Sequence, residues 1–401
     1  MALRRPRLSY LAPLLACLAN PIEASKHIRF HNWFPNSEHL EATSVGECNA
    51  TLTAFEDAYD NIANPWWVDL GIWPKRPIFQ LCRDHASCIL TNTSEADKAS
   101  LATSGVVLGL LPTLLAVLSP SIAELALLSA QRPFLACMLS VGAPGVLQTR
   151  VFEYEDPAEL IDAEESARRT GRTQLVLGPW SKGMSVLVSV LEYLLAAASI
   201  VNTIHMAVEL ERRGILSWGC TRNWPTIVWA CIPLVIHGIA AIGYKLTLEK
   251  SSPYSISNAI VMRQAPTFFT RLDAADKGAT ATTTEHDPHN IPIQQRNHQW
   301  IHREWLSCAS HSYASWIRLP SVDPSTRVTI GVMLNCIAGF LSFFHLLYGT
   351  VVFSGLLFID PLDAIGQIAM RFLTSSMICR FIVLVEIAGM RGAMLVAQKS
   401  Q

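Results

Sequence analysis

Three sets of polar residues lie inside otherwise apolar runs at helical spacing. Glu192, Ser199 and Asn202 are seven and three positions apart, and so share one stripe of a helix with 3.6 residues per turn. Asn335, Ser342 and His345 repeat that spacing, and His237 and Tyr244 are again seven apart. A carboxyl group in hydrocarbon must be protonated, paired or hydrated. Glu192, Asn202, His237 and His345 are therefore the polar candidates for a path or binding site within a membrane. Asn and Ser also act as hydrogen-bonding glue between helices, at roughly 0.6 to 2 kcal/mol per contact. Glue accounts for Ser199 and Asn202, but it accounts poorly for Glu192.

Other reactive patterns lead nowhere. His298 and His302 are four apart, with His286, His289 and His311 nearby. Neither an adjacent Glu nor a cysteine pair accompanies them, and the Thr-rich stretch Ala279 to Asp287 reads as a solvated, partly disordered loop. No metal site is expected. Glu164-Glu165 followed by Arg168-Arg169 fits the spacing of intramembrane prenyl-protein proteases, and His286 to Asn290 fits a second piece. Both lie in hydrophilic loops, where that chemistry has no shielded site. With neither a Gly-x-Ser-x-Gly nor a glycine-rich phosphate loop, no catalytic residue and no cofactor is assigned.

What must position the polar stripes is a set of membrane helices. Half of the 401 residues are hydrophobic and 16% are charged, against roughly a quarter in soluble domains. The apolar residues also form long runs instead of periodic stripes. Spans are expected at 99–128, 183–208, 223–248 and 328–359, each able to cross about 30 Å of hydrocarbon. A fifth candidate, 365–397, carries Arg371, Arg380, Glu386 and Arg391, and is either a crossing or an interfacial helix. The lipid bilayer is thus the first partner. Nucleic acid is not expected, because 31 basic residues are balanced by 32 acidic ones.

Arg4, Arg5 and Arg7 before the apolar stretch Leu8 to Ala19 read as a signal peptide over 1–19. An ectodomain then spans 20–98, with the acceptor patterns Asn49-Ala50-Thr51 and Asn92-Thr93-Ser94 for glycosylation. An acidic juxtamembrane loop (129–182) and a long loop (249–327) hold 14 of the 31 basic residues and fall on the cytosolic side by the positive-inside rule. A short lumenal loop (209–222) brings Cys220 to the side of Cys48, Cys82 and Cys88. Four cysteines in an oxidising compartment allow two disulfides in any of three pairings. Pro133 to Leu147 is an apolar rival crossing that would invert the rest, but it is short for a span.

The stretch from Gly109 through Pro112, Pro120 and Glu124-Leu125 to Arg132-Pro133-Phe134-Leu135 and Gly142-Ala143-Pro144 resembles a family of uncharacterised multi-pass membrane proteins of filamentous fungi. That resemblance implies architecture and no activity. Pro112 and Pro120 are expected to kink the first span. The fold expected is all-α: a multi-pass transmembrane helix bundle of four or five spans with a small disulfide-containing N-terminal ectodomain. The expected place is a membrane of the secretory pathway, at the plasma membrane. The first functional expectation is non-enzymatic sensing, scaffolding or interaction with protein partners through the ectodomain and the long loop. Transport through the polar stripes comes second, and an intramembrane enzyme third.

Overall fold

The computed structural model describes residues 30–60, 76–146, 175, 177, 180–220, 222, 224–248, 304–308 and 326–399. The signal segment, residues 147–174 of the acidic loop, the histidines of the long loop, and Trp66, Trp67 and Trp73 lie outside the described residues. Ten α-helices are described: α1 (His39–Val45), α2 (Asn49–Asp60), α3 (Arg76–Asn92), α4 (Glu95–Leu118), α5 (Ile122–Gln131), α6 (Pro133–Gly142), α7 (Lys182–Arg213), α8 (Pro225–Leu248), α9 (Thr326–Ser354) and α10 (Met370–Lys399). A π-helical turn, Asp363–Ala369, leads into α10, and Ile215–Leu216 (β1) pairs antiparallel with Leu356–Leu357 (β2).

Five helices are long and apolar enough to cross a membrane: α4, α7, α8, α9 and the Asp363–Ala393 stretch. The chain is an all-α multi-pass bundle. Its outer face is a band of large apolar side chains, such as Leu187, Leu194 and Val201 on α7 and Phe343 on α9, each at least half exposed. A band of this extent is costly in water and suits lipid. The fifth candidate belongs to the bundle: Phe372, Cys379, Val383 and Glu386 on its inner face are fully buried.

The first span is broken. Measured against α9, α4 descends from Gly109 at Ser354, through Pro112 beside Gly349, to Leu115 beside Gly145. Pro112 is accommodated inside α4, whereas Pro120 ends it: Ser119 before the proline is extended, at ψ 161°. A new helix then starts on a capping box, in which Ser121 Oγ accepts from the Glu124 N–H and the Glu124 carboxylate accepts from the Ser121 N–H. α5 continues downward along α8.

At Arg132-Pro133 the chain turns back. α6 starts at Pro133, where a missing N–H costs nothing, and the Glu304 carboxylate accepts from the free Leu135 N–H at 3.0 Å. α6 runs parallel to α7. At its start Arg132 meets Ser189 and Glu192, and at its end the Gly142 carbonyl accepts from Thr203 Oγ1 at 3.0 Å. Its ten residues span about 15 Å, half of the hydrocarbon thickness. Pro133–Gly142 is therefore a half-length helix that stops inside the bundle, with Ala143 extended at its C-cap and Pro144 to Val146 non-helical and buried.

The described part of the ectodomain shares its core with the bundle. Phe30, Trp33, Leu52, Cys82 and Ile89 form one cluster with Ile215, Cys220 and Phe358 from the loops between spans. Phe358, in the left-handed region at φ 63°, packs edge-on against Trp33. The Asp363 carboxylate accepts from Asn36 N and Nδ2 at 3.0 and 2.8 Å, and Arg213 donates to the Trp33 carbonyl at 3.1 Å. Disulfides join Cys48 to Cys88 and Cys82 to Cys220, the second fastening α3 to the loop after α7. Beneath Phe30 lies His85, fully buried between Ser44 and Thr51. Thr51 donates its hydroxyl hydrogen to the Cys48 carbonyl, so it accepts from His85 Nδ1, and His85 Nε2 accepts from Ser44. The ring is neutral, its pKa lowered to about 4 by burial and only partly offset by Glu56.

Candidate functional site

Two features in the bundle bring chemistry together. The first is a charge cluster around Arg132, which is completely buried at the turn between α5 and α6. Its Nη1 donates to Glu192 of α7 at 2.5 Å and lies 3.0 Å from Glu386 of α10. Its Nη2 donates to Ser189 at 2.6 Å, and its Nε to the Glu304 carbonyl at 3.1 Å. The residues 304–308 close the cluster from outside. Ser307 Oγ and Cys308 N–H donate to Glu386, Ser185 donates to the Ser307 carbonyl, and Tyr193 donates to Glu304 Oε1 at 2.6 Å. One guanidinium faces two carboxyl groups, with a third carboxylate one residue contact away. Fully ionised, the pair and Arg132 carry a net negative charge in a dry interior, and a proton on either carboxyl would cancel it.

The second feature is the meeting of the broken span with the tip of α6. A side-chain carbon at Gly145 would lie 2.4 Å from the Leu115 carbonyl oxygen, so backbone touches backbone here and only glycine fits. His345 Nε2 donates to the Pro144 carbonyl at 2.8 Å, and the His345 ring stacks on Trp229 at 5.3 Å between centroids. Around this point Ser119 Oγ, Trp229 Nε1 and His345 Nδ1 are buried without a hydrogen-bond partner among the described residues, while Ser199 pairs with the Cys379 thiol. Unpaired buried polar atoms are costly, and several together mark a place suited to water or a polar solute.

The four intramembrane polar candidates do not form one site. Glu192 belongs to the Arg132 cluster and His345 to the break. His237 faces a crevice between α5, α6 and α8, and neither ring nitrogen has a partner among the described residues. Asn202 sits toward the ectodomain, where Nδ2 donates to the Arg371 carbonyl and Ser375 while Oδ1 accepts from Arg371 Nε. It ties α7 to the start of α10, which is a packing role. Sequence reasoning sees Arg132 only within the stretch that carries the family resemblance, reads Glu386 only as a charge in the fifth candidate span, and misses Glu304. Arg380 likewise pairs with Glu124. The available signal is that Glu192, Arg380 and Glu386 stand in apolar segments and need partners.

Outside the bundle, Asn49 is exposed at the start of α2. Asn92, also exposed, donates to the Cys88 carbonyl at 3.2 Å and lies 3.5 Å from both sulfur atoms of the Cys48–Cys88 bridge. Among the described residues there is no group of three or more His, Cys, Asp or Glu arranged to hold a metal. No family model matches the chain, and neither a curated protein nor a solved structure is similar to it.

Proposed function

We propose that this protein moves protons or a small polar solute across its membrane, as a transporter or channel. The observation that supports this reading is the break at Ser119-Pro120 meeting the tip of re-entrant α6, with unpaired polar atoms gathered around it. Interrupted helices and non-helical backbone at membrane depth are tolerated where they are buried in protein or line a cavity, and transporters place their sites there. The Arg132–Glu192–Glu386 cluster lies on the side away from the ectodomain, where proton gain or loss changes its charge. The test is a proteoliposome assay with an imposed pH gradient and a pH-sensitive dye inside. Wild type is expected to collapse the gradient faster than empty vesicles, and Glu192→Gln to return the rate to background while retaining yield and thermal stability. Vesicles as tight as empty ones, with the pH gradient imposed in either direction and with a panel of small ions, would end the transport reading.

A second reading, sensing or interaction through the ectodomain, is favoured by the Asn36–Asp363 contact, which couples the lumenal face directly to the start of α10. Both readings take the N-terminal side as lumenal or extracellular in the secretory pathway, with Asn49 carrying a glycan. Glycosidase treatment of wild type and Asn49→Gln should then give different mobility shifts. The resemblance to fungal membrane proteins is consistent with this architecture and adds no activity.

A further inference from the structure

The crevice that His237 faces is a site distinct from the break and from the Arg132 cluster. It has a volume of about 280 Å³, just below the usual range for small-molecule pockets, and its walls are mostly apolar, with Leu125 and Ala136 on one side and Leu234 and Ile242 on the other. Ile242 is 58% exposed on the outer face of α8, so the crevice opens sideways where lipid would lie, and not toward solvent at an end. His237, at its inner wall, is 6% exposed with both ring nitrogens unpaired among the described residues. Lys245 lines the other end and is exposed. Twenty residues of helix separate Pro225 from Lys245, about 30 Å, which puts the ammonium at the membrane surface opposite the ectodomain. His237 is eight residues deeper, about 12 Å along the same helix.

A cation at the interface, an apolar channel and a buried hydrogen-bonding ring define a ligand with three matching parts. We infer that the crevice binds an oxygenated aliphatic carboxylate, of the hydroxylated fatty-acid class, taken from the bilayer. Its carboxylate pairs with Lys245, its chain lies along α8, and a mid-chain hydroxyl or keto oxygen meets His237. A plain acyl chain would leave the imidazole without a partner, at the desolvation cost of an unpaired buried polar group. The crevice is also free to be filled from within: a side-chain carbon at Gly238 meets nothing within 4 Å. The inference does not depend on whether the protein transports anything.

The experiment is native mass spectrometry and ligand-induced thermal shift on the full chain in detergent. The probes are stearic acid, stearic acid hydroxylated near mid-chain, and phosphatidylglycerol. The hydroxylated acid is expected to bind about tenfold more tightly than stearic acid, the difference one hydrogen bond makes. Lys245→Gln and Gly238→Leu should weaken both acids at least tenfold, with unliganded thermal midpoints close to wild type. His237→Phe should abolish the preference for the hydroxyl and leave stearic acid unaffected. Lys245→Gln alters an exposed position, so it reads the site even if the other variants fold poorly. The inference is overturned if neither acid binds, if the two bind equally, if Lys245→Gln changes nothing, or if phosphatidylglycerol alone occupies the site.

Discussion

Acid should loosen the ectodomain through His85. Both ring nitrogens are used in a neutral arrangement, with Nδ1 donating to Thr51 and Nε2 accepting from Ser44, so protonation must turn the Ser44 hydroxyl round to accept and place a charge in a buried site beside the Phe30 ring. Burial holds the folded pKa at about 4, against an ordinary value of 6.5. Above pH 6.5 the ring is neutral in both folded and unfolded chains, and the contribution to stability is complete. Between 6.5 and 4 the unfolded chain binds a proton that the folded chain refuses, so stability falls as pH falls. The slope approaches about 1.4 kcal/mol per pH unit, and the total loss is about 3 kcal/mol. Glu56 and His31, which pair with each other nearby, both act electrostatically on His85, so the readout is the difference between wild type and His85→Phe. The assay is hydrogen exchange of the α1, α2 and α3 amides at several pH values, corrected for intrinsic exchange. His85→Phe is expected to be less stable at pH 7.5, having lost two hydrogen bonds, but to vary much less between pH 6.5 and 4. Equal slopes in the two proteins, or wild-type protection that increases toward acid, would refute the neutral-ring argument.

Arg132→Met should lower the thermal stability of the detergent-solubilised protein by about 3 to 5 kcal/mol, because Glu192 and Glu386 would be left buried without their cation. Adding Glu192→Gln should recover part of that loss, and a double variant no better than the single would show that water, and not Arg132, satisfies the carboxyls. In intact cells, a membrane-impermeant thiol reagent applied after reduction should label Cys220 and Cys82 together, since one bridge holds both. Labelling of Cys220 only after permeabilisation would invert the topology. Cys220→Ser should destabilise by less than the roughly 5 kcal/mol that a loop of 138 residues gives for a random coil, since α4, α5, α6 and α7 within that loop remain helical in the bilayer.

The long spans are legible because a charge-free run of about 20 residues or more is the length that hydrocarbon demands and that a soluble core rarely uses. The fifth is ambiguous for a physical reason: Arg380 and Glu386 look prohibitive until Glu124 and Arg132 are seen beside them, and those partners lie far away in sequence. Pro120 reads as a kink, yet Ser121 with Glu124 three residues later is the local signature of a new helix start, and the capping box forms. The cysteine pairing is not readable without one structural fact. Cys82 and Cys88 both lie on α3, where six residues rise about 9 Å, beyond the reach of a disulfide. Once α3 is a helix, the short loop between them ceases to be an option. The re-entrant turn at Arg132-Pro133 leaves only weak marks, a ten-residue apolar stretch beginning with proline and ending in Gly142-Ala143-Pro144-Gly145.

The Cys82–Cys220 bridge also sets an order of events during synthesis. A ribosome working at about 5 to 20 residues per second needs roughly 7 to 30 s to reach Cys220 after completing Cys82. Through that interval Cys82 must remain a thiol or a transient mixed disulfide, with Cys48 and Cys88 close enough to compete for it. The native outcome is secured if Cys48 and Cys88 close first, which needs α2 and α3 to dock before α7 has been inserted. A nascent chain that misses this window carries a wrong bridge, and its later spans then assemble around an ectodomain that cannot seat on Asp363 and Phe358. Such a protein depends on an oxidoreductase able to reopen bridges, and its yield in a heterologous host should follow the supply of that catalyst more closely than the rate of membrane insertion.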